Sequence, residues 1–83
     1  MNVTQAKVKA EQYITENFEP PENDAYAIVD AAIIEVADGW YFPYQTVRFI
    51  ETRNIDFSVL GNWPIFVSKQ GECLGPRRPT VSK

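Results

Sequence analysis

The side chains that carry out most protein chemistry are scarce in this 83-residue chain. It contains no histidine, the commonest general base and a frequent metal ligand. Cys73 is the only cysteine, so it lacks the histidine that usually activates a nucleophilic thiol and cannot complete a Cys/His metal site. The four glycines are scattered at turn positions and form no phosphate-binding loop. We therefore expect no catalysis and no cofactor, and we interpret Cys73 as a buried or half-buried residue of a short strand.

Three carboxylates, Asp30, Glu35 and Asp38, follow one another along an apolar stretch and the turn after it. A calcium loop needs oxygen ligands at alternating positions and a central glycine, and this spacing supplies neither. We interpret the three as solvated residues of a strand edge. Asp30 interrupts the apolar stretch, and we expect it either to pair with an arginine such as Arg48 or to face water.

Charge is distributed unevenly along the chain. Residues 1–10 carry a net charge of +2, residues 11–47 one of −8 and residues 48–83 one of +3. The central block contains no lysine or arginine, and a field of one sign attracts cationic partners and repels nucleic acid. Two interpretations stay open: the carboxylates belong to solvated faces of a helix and a strand, or they form a docking surface for a basic protein.

The first segment predicts a helix over about residues 3–18. Its apolar residues recur every three or four positions and so share one face. They are Ala6, Ala10, Tyr13, Ile14 and Phe18. Asn2 and Gln5 fit a capping box at its start, and Pro20-Pro21 cannot continue a helix.

The sheet is predicted over about residues 26–75. Residues 26–36 indicate one strand, with a bulge as an option, in which Ile28, Ala32, Ile34 and Val36 share a face. After a turn at residues 37–39, the alternation predicts Trp40, Phe42 and Tyr44 in the core, with Trp40 or Tyr41 partly exposed.

The remaining elements complete an antiparallel meander. Residues 47–52 indicate a short helical turn or an irregular bridge, and residues 63–68 a third strand. Residues 69–72 form a hairpin turn, and Cys73-Leu74 a short fourth strand that Gly75-Pro76 ends. The prediction is a single α+β domain, 1–83, with one N-terminal helix packed on a three- to four-stranded antiparallel meander and a flexible tail over residues 76–83.

Two negative features bear on location. The N-terminal residues lack the basic-then-apolar run of a signal peptide. No apolar run approaches the roughly 20 residues that cross a bilayer. With a single cysteine, these features favour a cytoplasmic protein that binds no membrane, and the acidic block argues against nucleic acid as a partner.

Four segments of the chain resemble the immunity protein 35 family, also called YrhB-like. They run from Gly39 to Tyr44 (GWYFPY), Arg48 to Thr52 (RFIET), Leu60 to Val67 (LGNWPIFV) and Lys69 to Glu72 (KQGE). The resemblance covers about residues 24–75, and the N-terminal helix fits the usual layout. Its matching positions imply structural roles for Gly39, Trp40, Phe42, Tyr44, Gly61, Asn62, Trp63, Pro64 and Gly71.

The resemblance implies a small bacterial protein, encoded beside a secreted polymorphic toxin, that binds this toxin and protects the producing cell. Many such toxins are basic nucleases, so the acidic block becomes the expected interface. We predict that the partner-binding residues are Glu19, Glu22, Asp24, Glu35 and Asp38. We expect a monomer or a weak homodimer. Some relatives are described instead as small chaperone-like stress proteins, which would hold unfolded clients through exposed aromatic surface around Trp40 or Trp63.

Overall fold

The computed structural model describes residues 1–20, 22–53 and 63–78 of the chain. Within these ranges two helices and six strands follow one another, and a 3₁₀ turn, Asp30–Ala32, lies between the first two strands. In chain order they are α1 (Val3–Asn17), β1 (Tyr26–Ile28), β2 (Ile34–Val36), β3 (Gly39–Phe42), β4 (Tyr44–Thr46), α2 (Val47–Thr52), β5 (Ile65–Ser68) and β6 (Cys73–Pro76). The larger sheet has the order β2-β3-β5-β6, and β1 pairs with β4 in a smaller one. All these pairs are antiparallel, which confirms the predicted α+β class.

Helix α1 forms as its sequence predicts. The Gln5 amide donates to the Asn2 side-chain oxygen at 2.9 Å, and the Asn2 amide donates to the Gln5 side chain at 3.1 Å, which completes the capping box. Ala6, Ala10 and Ile14 are buried against the sheet. The two alanines have no side chain beyond Cβ, so the helix axis lies close to the strands beneath it.

The prediction of one continuous strand over residues 26–36 is wrong. The 3₁₀ turn divides this segment, and β1 pairs with β4 whereas β2 pairs with β3. The cause lies in the segment that pairs with it, residues 39–46. Its Pro43 has no amide hydrogen and separates β3 from β4. The Pro43 carbonyl still accepts from the Val29 amide at 2.9 Å, and the chain bends there. The predicted common face is therefore lost: Ile28 is buried, whereas Ala32 and Ile34 are exposed.

The core lies between α1 and the strands. Trp40, Phe42 and Tyr44 belong to it, together with Ile65 and Val67 of β5. The expectation that Trp40 or Tyr41 is partly exposed is wrong, since they are 4% and 3% exposed. The Lys69 ammonium lies 4.6 Å from the Trp40 ring centroid, and Tyr41 packs against Phe66 with their ring centroids 4.8 Å apart.

The structure decides between the two predictions for residues 47–52, and it makes the last strand longer than predicted. Residues 47–52 form helix α2, whose first turn is capped by the Thr46 hydroxyl accepting from the Phe49 amide at 3.2 Å. Strand β6 does not end before Gly75-Pro76: Gly75, with a φ of +79°, pairs with Phe66 beside a register shift, and Pro76 pairs with Ile65. The end of the predicted tail, 79–83, lies outside the described residues.

Candidate partner-binding surface

The five predicted partner-binding residues fall into two groups. Glu19, Glu22 and Asp24 lie in the loop between α1 and β1, whereas Glu35 lies on β2 and Asp38 in the turn between β2 and β3. The two groups occupy opposite ends of α1. A helix of 15 residues is about 22 Å long, so the sequence block does not fold into one contiguous patch.

The contacts at the start of α1 establish this separation. The Met1 side chain lies against Gly71 in the turn between β5 and β6, within 3.0 Å of where a Cβ would stand. The Lys69 amide, in the same turn, donates to the Asp38 carbonyl at 2.9 Å. The start of α1 and the β2–β3 turn therefore share one end of the molecule, and the loop after α1 lies at the other.

Two of the predicted residues are held by neighbours. Glu35 forms an ion pair with Lys69, the residue that covers Trp40. The Asp24 carboxylate accepts from its neighbour's amide, that of Ala25, at 2.8 Å and from the Arg48 amide at 3.4 Å. Glu35 thus has its charge compensated locally, and Asp24 joins the loop to the start of α2.

Asp30 has a partner that the sequence did not indicate. Its carboxylate lies 2.7 Å from the Lys7 ammonium of α1. The proposed pairing with Arg48 is wrong, although the Asp30 side chain is 69% exposed and does face water. The hydrogen bond to Asp30 raises the pKa of Lys7, and the negative charges of Asp30 and Glu11 add to this against the effect of burial.

The remaining carboxylates of the acidic block are Glu11, Glu16, Glu19, Glu22 and Asp38. All five are exposed, and among the described residues no ion pair involves them. The first four lie on α1 and in the loop that follows it, and we call them the helix-side acidic face. This face, and not the β2–β3 hairpin, carries most of the uncompensated negative charge of the block.

A groove runs beside this face, between α1 and β1. It consists of two adjoining cavities of about 210 Å³ and 140 Å³, which share Ile14, Thr15 and Tyr26 in their walls. Phe18 and Ala25 complete the larger one, with Pro20 at its end, and Glu11, Ala27 and Ile28 complete the smaller one. Sequence reasoning missed this groove, because it depends on β1 being a separate short strand beside the helix.

The residues with predicted structural roles occupy different environments. Gly39, Trp40, Phe42 and Tyr44 are buried, and Gly71 lies in the turn between β5 and β6 with a φ of +93°. Trp63 is 49% exposed and carries the Arg78 guanidinium 5.8 Å from its ring centroid. The Pro64 carbonyl accepts from the Arg77 amide at 3.0 Å. Gly61 and Asn62 lie outside the described residues.

Two further features are absent from the part of the chain that the structure describes. Over residues 1–20, 22–53 and 63–78, no group of three or more His, Cys, Asp or Glu side chains is placed to hold a metal ion. In these ranges no helix has the length and apolar character that a membrane span requires. The Cys73 thiol is unpaired and half-buried at the edge of the core.

These features define a class: a small α+β domain that presents a charged helix face and an adjacent groove. The sequence profile of the immunity protein 35 family matches residues 4–80, nearly the whole chain. The chain belongs to this family, as its aromatic and glycine segments indicated. A search of curated proteins and a search of solved structures found no match.

Proposed function

We propose that the protein is an immunity protein that binds a cognate bacterial toxin and neutralises it by occluding its active or substrate-binding surface. The family match over residues 4–80 is the observation that carries this proposal. The protein acts in the cytoplasm as a binding partner and not as an enzyme, as a monomer or weak homodimer, without cofactor, nucleic acid or membrane.

The charge of the surface supports a basic toxin as the partner. Residues 11–47 carry a net charge of −8, and the helix-side acidic face contributes four exposed carboxylates to it. Charges of this kind accelerate encounter with an oppositely charged protein and position it over the face. Exposed charges are screened beyond about 10 Å at 0.1 M salt, so the association rate falls as salt is raised.

The proposed interface keeps most of the residues predicted from sequence. Glu19 and Glu22 lie at its centre, with the neighbouring carboxylates of α1 beside them. Asp24 borders it and is already held by its neighbours, whereas Glu35, paired with Lys69, lies with Asp38 away from it. Asp38 lies at the far end of α1 and contacts a toxin only if the toxin spans the length of the helix.

The test uses the product of the gene adjacent to the one that encodes this chain. Co-expression of the two proteins should restore growth that the adjacent product alone arrests, and the two should co-purify. The variant Glu19→Lys/Glu22→Lys should weaken binding by at least about tenfold, since like charges then face a basic partner.

The matched control is Glu51→Lys/Glu72→Lys, which makes the same change in net charge at two exposed carboxylates outside the acidic block. Its affinity for the adjacent gene product should lie within about threefold of the wild-type affinity when salt screens the long-range charge. Equal weakening in both variants would contradict the proposed interface. Failure to bind or protect would contradict the proposed function.

A chaperone-like stress protein is the second candidate, and the exposure of Trp63 is the observation that favours it. Trp40, the other aromatic residue that this candidate requires at the surface, is buried. The discriminating assay is the aggregation of reduced insulin in the presence of the protein. We expect no suppression; suppression that is lost in Trp63→Ala would support the chaperone candidate instead.

A further inference from the structure

We propose that the groove between α1 and β1 is the docking site for an extended, positively charged segment of the partner protein. This inference rests on the proposed function in taking the toxin as the source of that segment. It goes further because it assigns the contact with the toxin to this groove, and because it states that the bound segment is extended and positively charged.

The dimensions of the groove suit an extended chain. Its lining residues follow α1 from Glu11 to Phe18, a rise of about 10 Å at 1.5 Å per residue. About three residues of extended chain span the same distance at about 3.3 Å each. The Lys7–Asp30 ion pair lies beyond one end, and Pro20 lies at the other. The groove therefore accommodates about three extended residues, and the end residues of a five-residue segment extend beyond it.

The edge of β1 offers backbone groups to such a segment. The amide of Val29 and the carbonyl of Ala25 bond to the β4 side of β1, so those of Ala27 share this direction. In an antiparallel pair the residues between them, Tyr26 and Ile28, turn their amide and carbonyl groups the opposite way. These groups lie on the edge of β1 that pairs with no other strand among the described residues, where an added strand would bond to them.

The floor and wall of the groove favour lysine and arginine side chains in the bound segment. Ile14 and Ile28 are 5% and 7% exposed, and with the rings of Phe18 and Tyr26 they form an apolar floor. Glu11 stands on the wall of the smaller cavity. Lysine and arginine match this arrangement, because their aliphatic stems pack on apolar surface while the charged head stays in water.

Charge complementarity identifies the occupant as basic. Glu11 is exposed at one end of the groove, and Glu19 and Glu22 are exposed in the loop at the other. Lys7, one helical turn before Glu11, is bound to Asp30, although its charge also acts on Glu11. A segment with alternating basic and aliphatic residues would place its cations near carboxylates at both ends.

The test titrates two blocked pentapeptides, Lys-Val-Lys-Val-Lys and Glu-Val-Glu-Val-Glu, into the isotopically labelled protein and follows the amide NMR signals. We expect the cationic peptide to shift the signals of residues 11–15 and 26–28, and the anionic peptide to leave them unchanged. Thr15→Arg places a cation and a longer side chain in the groove wall, and it should weaken cationic binding by at least about tenfold.

Gln12→Arg is the matched control, because it adds the same charge to an exposed position of α1 that does not line the groove. It should bind the cationic peptide within about threefold of the wild type at 0.15 M salt. Equal losses in both variants, shifts confined to Ile34–Val36, or equal binding of both peptides would overturn the proposal. Shifts that follow protein concentration and not peptide would also overturn it, in favour of a second copy of this chain.

The two proposals fail separately. If the adjacent gene product is not neutralised but the cationic peptide binds in the groove, the immunity function is refuted and the groove stands. If the wild type and Thr15→Arg neutralise the toxin with equal affinity, the groove is refuted as the toxin site and the function stands.

Discussion

Replacing Gly39 by alanine should destabilise the protein more than any other glycine-to-alanine change in the described residues. A Cβ at this position would lie 2.8 Å from the Ser68 Cα, 2.8 Å from the tip of the Phe66 ring and closer still to the Val67 carbonyl oxygen. Two of these atoms belong to the backbone of β5, so a side-chain rotation cannot relieve the clash. Strands β3 and β5 would have to separate in the middle of the larger sheet.

The expected cost is about 3 kcal/mol or more, at the upper end of what overpacking a well-packed core produces. A domain of 83 residues has a total stability of about 4–12 kcal/mol. A loss of this size therefore lowers the melting temperature by about 12–24 °C. Urea unfolding followed by far-UV circular dichroism measures the loss, and a thermal melt confirms it.

Gly71→Ala is the control for this prediction. Its φ of +93° makes alanine unfavourable by about 1–2 kcal/mol, but the nearest atom is the terminal methyl of Met1, which can move away. Phe66→Leu combined with Gly39→Ala should recover little, because the contacts with the β5 backbone remain. The reasoning is refuted if Gly39→Ala is the milder of the two single changes, or if the double variant regains wild-type stability.

Three further predictions concern the contacts of α1 and the larger sheet. Asn2→Ala removes the helix cap and should reduce the free energy of unfolding by about 1 kcal/mol, measured by urea denaturation. Lys69→Ala should cost about 1 kcal/mol by uncovering Trp40, whereas Lys69→Met, which keeps the apolar stem, should stay within about 0.5 kcal/mol of the wild type. Asp30 raises the pKa of Lys7 above its ordinary 10.5. The Lys7–Asp30 pair therefore stabilises the folded protein fully below pH 10.5, and this stabilisation is lost as the pH rises through the pKa of Lys7 in the folded state. The wild type should therefore lose more stability than Lys7→Met between pH 9 and about pH 12, in urea melts.

Features that depend on neighbouring residues in sequence were predictable. The capping box at Asn2 and the apolar face of α1 follow from spacings of three and four residues, and both are present. The turn over residues 69–72 follows from glycine and polar residues between two strands, and its Gly71 has the positive φ that such turns need.

Features that depend on distant residues were not predictable. The strand expected over residues 26–36 is divided because its partner contains Pro43, and within the segment only the interruption by Asp30 signals a break. The partners of Asp30 and Glu35 are likewise remote: Lys7 lies in another element, and Lys69 is 34 positions away. Side-chain pairing of this kind is fixed by the tertiary fold, which spacing along one strand does not encode.

These remote ion pairs change the inference about the partner surface. The sequence places Asp30 and Glu35 in the same block of carboxylates as Glu11 and Glu16, and by charge alone they are equivalent. In the fold, the former two each lie against a lysine, whereas the latter two are exposed without an ion pair among the described residues. An approaching cation gains less beside a carboxylate that is already compensated. The part of the block that can attract a basic partner is therefore α1 and the loop after it, which is also where the groove lies.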